Sequence, residues 1–164
     1  MNFVKVALFA ASLATLALAC KTEKKCKYKP EAVFAKDLPG VLQYNFEVQG
    51  TESLESIFFQ NQVLLELHQE VCDKTRQEYK FTVKGDYSAF ADSLWMLEAV
   101  RQLTWLSTLS ERQAALREWA GILEANRPAM KLAEDRQIQP GIFVKVDKVV
   151  SPEQSVLLVR FEQR

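Results

Sequence analysis

Apolar and polar positions alternate from Val41 to Gln49. Leu42, Tyr44, Phe46 and Val48 fall on one side and Gln43, Asn45, Glu47 and Gln49 on the other. A period of two predicts a half-buried strand, and Gly50-Thr51 supplies the turn that follows it. Residues 54–71 admit two readings. As a helix over 53–72 they gather Leu54, Ile57, Phe58, Leu64, Leu65 and His68 on one face. As strands over 54–59 and 63–71, broken at Gln60-Asn61, they put Val63, Leu65, Leu67 and Val71 in phase. The strand reading is preferred because a further alternating run follows at 77–84, with Tyr79, Phe81 and Val83 in phase. The short Asp73-Lys74-Thr75 connection then makes an antiparallel meander.

The period changes after Gly85-Asp86. Asp86 or Ser88 is expected to cap a helix reaching about Ser107, with Phe90, Leu94, Leu97, Val100 and Leu103 at helical spacing. Ser110 and Gln113 have the spacing of a capping box for a second helix. Its stripe is Leu116, Trp119, Ile122 and Leu123, and Asn126-Arg127-Pro128 ends it. A further helical turn is expected within 128–135. Pro140-Gly141 returns the chain to strand, with Ile142, Val144 and Val146 alternating, and 156–162 forms the last strand after a turn at Ser151-Pro152. Strands, two helices, then strands predict an α+β fold. Its simplest form is one antiparallel sheet, an N-terminal meander plus a C-terminal hairpin, packed against the helical pair as a single domain over 39–164.

Composition places this body in the globular class. The chain has 164 residues, of which 48% are apolar. Its 21 basic and 21 acidic residues cancel, which argues against nucleic acid as a partner. The cancellation hides an asymmetry. Lys5 and the five lysines between 21 and 29 account for six basic residues, and Glu23 for one acidic residue. The remainder, 30–164, is therefore acidic by five.

The chain begins with Lys5 followed by an uncharged stretch over 6–19 that ends in Ala17-Leu18-Ala19. This small-x-small ending predicts a cleaved export signal over 1–19, too short for a span of about 20 apolar residues. Cys20 follows at once. Leu16-Ala17-Leu18-Ala19-Cys20 resembles the end of bacterial lipoprotein signal peptides, in which the Cys receives lipid. Ala17 stands where that class usually has Leu, and Leu18 where it usually has a small residue. Cleavage after Ala19 without lipid is the alternative. The resemblance implies a lipid on Cys20. Lys21, in place of Asp, implies the outer membrane, facing periplasm or surface. Lys21, Lys24, Lys25, Lys27 and Lys29 then form a basic tether, the anchor and tether occupying 20–38. With Cys20 lipidated, Cys26 and Cys72 remain as a pair. An exported compartment favours a disulfide between them, which would contribute around 3–4 kcal/mol by closing a loop of roughly 45 residues.

Candidate chemistry is sparse. His68 is the sole imidazole, and no motif supplies it with a nucleophile or a second ligand. Cys72 lies four residues on, a spacing that joins side chains on a helix but separates them on a strand. No zinc spacing, phosphate loop or nucleophile elbow is present, so no metal or cofactor is expected. The tryptophans cluster in the helical region. Trp95 and Trp105 widen the apolar surface of the first helix, so they are the expected anchors of a partner interface, with Arg101 at its rim. The sequence reading is therefore an extracytoplasmic, lipid-anchored binding or structural protein of the bacterial envelope. The membrane would be reached through Cys20, and an unidentified envelope protein is the candidate partner. A soluble secreted or periplasmic binding or inhibitor module is the alternative, and a small extracytoplasmic hydrolase is the second.

Overall fold

Alternating segments from the two ends of the chain meet in one sheet. A computed structural model describes residues 26, 29–72 and 74–164. The expected signal, Cys20, Lys21, Lys24, Lys25 and Lys27 lie outside the described residues. Seven strands form: β1 (Val41–Gln49), β2 (Glu52–Phe59), β3 (Leu64–Val71), β4 (Thr75–Lys84), β5 (Arg136–Gln139), β6 (Ile142–Val150) and β7 (Gln154–Gln163). Between β4 and β5 lie helices α1 (Asp92–Leu106) and α2 (Ala115–Asn126). The sheet order is β1-β2-β3-β4-β7-β6-β5, with every neighbour antiparallel. This is an α+β fold in which the C-terminal hairpin joins the meander through β4 and β7.

The meander reading of 54–71 holds, and the helix over 53–72 does not form. Leu65 and Leu67 are fully buried while Glu66 and His68, which alternate with them, face the other way. Only period two separates those residues so cleanly. Registered pairs carry the core across the sheet in rows. One row runs Ile57, Leu65, Phe81, Leu157, and the next runs Glu55, Leu67, Tyr79, Val159, Val146. Both helices cover this face. Leu103 and Leu106 of α1 and Leu123 of α2 are buried on it, and Trp119 meets Phe161 at 5.0 Å between ring centroids.

Four expectations need correction. The first helix begins at Asp92 rather than near Asp86 or Ser88: the Asp86 carboxylate accepts the Ser88 N–H at 2.8 Å, as a cap would, but the Phe90 N–H bonds back to the Tyr87 carbonyl at 3.0 Å and closes a turn that does not continue as helix. The capping box is diverted. Ser110 Oγ donates to the Gln113 side chain, but Gln113 Nε2 donates to the Val33 carbonyl at 2.7 Å rather than serving the helix end. A 3₁₀ turn over Glu111–Gln113 therefore precedes α2, and within 128–135 the only helical residues are the last two of a second such turn, Arg127–Ala129. Cys26 and Cys72 are not bonded to each other. Cys26 Sγ donates to the Val71 carbonyl at 3.1 Å, one residue short of Cys72. Finally, the folded body starts before 39. Pro30, Phe34 and Leu38 are buried, so 30–38 is a strap across the helix-bearing side and not part of the tether. Lys29, the one tether lysine described, is exposed.

The strap is held by a buried polar cluster. Glu55, with no exposed surface, accepts the Val33 and Phe34 backbone N–H groups at 2.9 Å each. Tyr44 donates its phenolic proton to the same carboxylate at 2.8 Å. Gln69 Nε2 reaches the Glu31 carbonyl at 3.0 Å. A buried charge is tolerated when its lone pairs are filled this way.

Candidate functional site

A concavity walled mainly by aromatic and apolar side chains lies where α1 crosses one end of β4 and β7. It encloses ≈ 250 Å³ and is lined by Phe81, Val83, Tyr87, Phe90, Trp95, Glu98, Gln102 and Leu157. Three elements build it. Phe81 and Val83 project from β4 on one face by strand alternation, and Leu157 is the registered partner of Phe81 on β7. The connection from β4 to α1 contributes Tyr87 and Phe90. From α1 come Trp95, Glu98 and Gln102, spaced i, i+3, i+7 along one stripe of the helix.

The connection is fixed rather than loose. Ser155, fully buried on β7, donates from Oγ to the Gly85 carbonyl at 2.9 Å and accepts the Tyr87 N–H at 3.2 Å. Gly85 has φ +119, a conformation that side chains rarely adopt. The Tyr87 and Phe90 rings then meet edge to face at 5.1 Å. Phe90 stands 6.4 Å from Trp95 and is 44% exposed, an aromatic lip on the pocket. Lys148 lies 5.7 Å from the centre of the Trp95 ring and pairs with Asp92 at 2.9 Å.

Two residues of this wall carry a polar atom without a partner. Trp95 Nε1 and Gln102 Oε1 are buried and unbonded among the described residues. The orientation of the Gln102 amide follows from its neighbour. Its Nε2 donates to Glu98 Oε1 at 2.7 Å, and a carboxylate only accepts, so the amide oxygen must point elsewhere. An unfilled buried donor or acceptor costs about 1–3 kcal/mol. Native proteins leave few such groups, and these two are sealed within the packing behind the wall rather than presented to the cavity.

The residues expected to form an interface separate in the structure. Trp95 is 4% exposed, so it is a pocket wall and not a surface anchor. Trp105 packs edge to face on Phe59 at 4.8 Å, away from the pocket. Arg101 is exposed and pairs with Glu98 at 3.7 Å, one link from the pocket. The sequence reading did not single out Tyr87, Glu98 or Gln102. The available signal was two polar residues at i+3 and i+7 from a buried tryptophan. His68, on the opposite face of the sheet, is half-buried and lies 3.4 Å from Glu52. No helix of the described residues is long and apolar enough to cross a membrane.

No protein-family model, curated protein or solved structure matches the chain.

Proposed function

We propose that the protein is an exported binding protein of the bacterial envelope, anchored through a lipid on Cys20, whose folded domain holds a small apolar ligand beside Trp95. The observation that carries the binding role is the pocket walled by Phe81, Tyr87, Phe90 and Trp95, with Glu98 and Gln102 as its polar side chains. Ligand sites have this make-up: mostly apolar walls and a few placed polar groups. The anchoring role rests on the Leu16-to-Cys20 segment and on the basic residues after it. A soluble, unlipidated form is the second reading, favoured by Ala17 and Leu18 at their positions.

Titration with N-phenyl-1-naphthylamine, an uncharged fluorophore that brightens in apolar surroundings, tests the binding role. Saturable 1:1 enhancement is expected. Val83→Phe, which fills the pocket, should abolish it while leaving the circular dichroism spectrum unchanged. No enhancement, or enhancement indifferent to Val83→Phe, rejects the pocket. The mass of the mature chain tests the anchor, because a diacylglycerol on Cys20 adds a large increment that an unmodified chain lacks.

A further inference from the structure

The two edges of the sheet are finished differently. β5 is four residues long and starts beside the ionic cluster of Asp135. β1 has nine residues, no proline, no lysine and a single charge, Glu47. Among the described residues it pairs with β2 alone. Edge strands are commonly blunted by charge, proline or shortness, because their outer N–H and C=O groups can template another strand. β1 also carries Leu42 and Val48, large apolar side chains that are 53% and 48% exposed.

The turn after β1 decides which backbone groups face outward. Gly50, at φ +65, and Thr51 form a two-residue connection closed by the Gln49–Glu52 pair. Such a turn is closed by a hydrogen-bonded pair, and bonded and non-bonded pairs then alternate along an antiparallel ladder. The register is regular from Gln49 back to Gln43. Over that run the odd residues bond β2, and Tyr44, Phe46 and Val48 turn their N–H and C=O groups to the free edge.

Asn45 is the middle residue of β1. A second copy laid antiparallel about a two-fold axis at Asn45 opposes Tyr44 to Phe46 of the other copy, twice by symmetry. Both are outward-facing residues, so each pair exchanges two backbone hydrogen bonds. The same register sets aromatic against aromatic on the helix-bearing side. On the other side Gln43 opposes Glu47 of the second copy, an amide donor against a carboxylate. Charge selects this register. It holds the two Glu47 residues four positions out of step, roughly 14 Å along the strand and beyond the screening length of about 8 Å at physiological salt. An axis at Phe46 would halve that offset, and an axis at Tyr44 would set Glu47 against Val41.

We infer that β1 is a self-association edge: two copies of the chain join β1 to β1, antiparallel about Asn45, into one continuous sheet. The axis stands normal to the sheet, so both helical layers lie on the same side.

Cysteine cross-linking reads the register. The background is the purified chain carrying Cys20→Ser, Cys26→Ser and Cys72→Ser. Facing residues of a non-bonded antiparallel pair have Cα atoms about 4.5 Å apart, within the span of a disulfide. Asn45→Cys should therefore give a covalent dimer on mild oxidation, and Glu47→Cys should not. Sedimentation equilibrium of the same background should show a mass rising toward twice the monomer with concentration. Phe46→Pro removes an outward N–H and leaves the β2 ladder its donors, so it should abolish the dimer with the circular dichroism spectrum unchanged. If the proline variant misfolds, Asn45→Lys serves: it sets two ammonium groups face to face and should weaken the dimer about fivefold. A chain that stays monomeric at every concentration overturns the inference. So does a dimer that folded Phe46→Pro or Asn45→Lys leaves as tight as before, which puts the interface elsewhere. Cross-linking through Glu47→Cys in preference to Asn45→Cys overturns the register.

Discussion

Glu55 is the residue on which the strap depends. Its carboxylate fills the Val33 and Phe34 N–H groups and the Tyr44 hydroxyl, the Phe34 bond fully buried and the other two partly so. Removing it in Glu55→Ala strands three donors, each worth about 1–3 kcal/mol when buried unfilled. A loss of at least about 3 kcal/mol is expected in denaturant unfolding, and a change under 1 kcal/mol would refute this role. The pH dependence has a definite sign. Burial pushes the Glu55 carboxyl above its usual value, outweighing the hydrogen bonds from Tyr44, Val33 and Phe34 and the nearby Arg112, which pull it down. A folded value above the unfolded one means the contribution is full below about pH 4.3 and fades as pH rises through the folded value. Glu55→Gln should therefore compare best with the parent toward neutral pH and worst in acid. A melting-temperature difference that stays constant with pH would contradict the raised value. The inward direction of this side chain was legible in the sequence, since Ile57 and Phe59 two and four residues on are core-like. Its partners were not, because 21 and 22 residues separate Glu55 from the backbone groups it holds.

Elements with strong alternation were the legible ones. The run over β1 was read with the bounds it has, Ile142, Val144 and Val146 keep one phase in β6, and β7 was marked by its continuous apolar run from Val156 to Val159. β5 was not legible. Its four residues, Arg136–Gln139, contain one apolar side chain, and nothing local distinguishes them from a loop. Pairing with β6 and an ionic cluster at its start hold it in place. Asp135 accepts from Arg160 at 2.6 Å and from Arg164 at 2.7 Å, and Arg164 also bonds Glu162 at 2.9 Å. Hydrogen bonding to Arg164 leads the causes that hold both carboxyls below their usual values. For a depressed carboxyl the stabilisation is present above the unfolded value and is lost as pH falls through the folded one. Asp135→Asn should lower the melting temperature at pH 7 and have little effect near pH 2. The two curves should converge across the acid limb. An Asp135→Asn penalty that persists undiminished at pH 2 would show that the cluster acts through packing alone. The start of α1 was misread because Asp86 makes the bond of a cap to Ser88, while the backbone beside it at Gly85 and Tyr87 is pinned to Ser155 of β7. The pocket inherits that difficulty. Its floor comes from β4 and β7, and its roof from a connection whose course depends on Ser155, some 70 residues away in sequence.

At the scale of the whole molecule, the sheet has one face under the helices and one without a helix over it among the described residues. That second face is built as an ionic lattice. Lys80 meets Glu66 at 2.6 Å and Arg76 meets Glu70 at 3.4 Å across β3 and β4. Above the lattice, a single registered row of Phe58, Leu64, Thr82, Val156 and Val149 is mostly apolar. Charged cross-strand pairs favour a solvated surface over a second core. The domain therefore closes on one side only, and the strap is part of that closure. Phe34 is 1% exposed and Leu38 is 7% exposed. Losing both side chains from a core costs roughly 5–10 kcal/mol, taking typical values for large-to-small substitutions. That is comparable to the whole stability of a domain this size, about 5–15 kcal/mol. A chain trimmed of residues 1–28 keeps the strap and should melt close to the parent. A chain trimmed of residues 1–38 also leaves Glu55 buried without its backbone donors, and it should show no cooperative unfolding transition by circular dichroism. If the shorter chain melts cooperatively within a few degrees of the longer one, the strap is an accessory to the fold. If it does not, the body begins at Pro30. Under the lipid-anchor reading, only the ten residues from Cys20 would then separate membrane from domain, a reach of no more than roughly 35 Å.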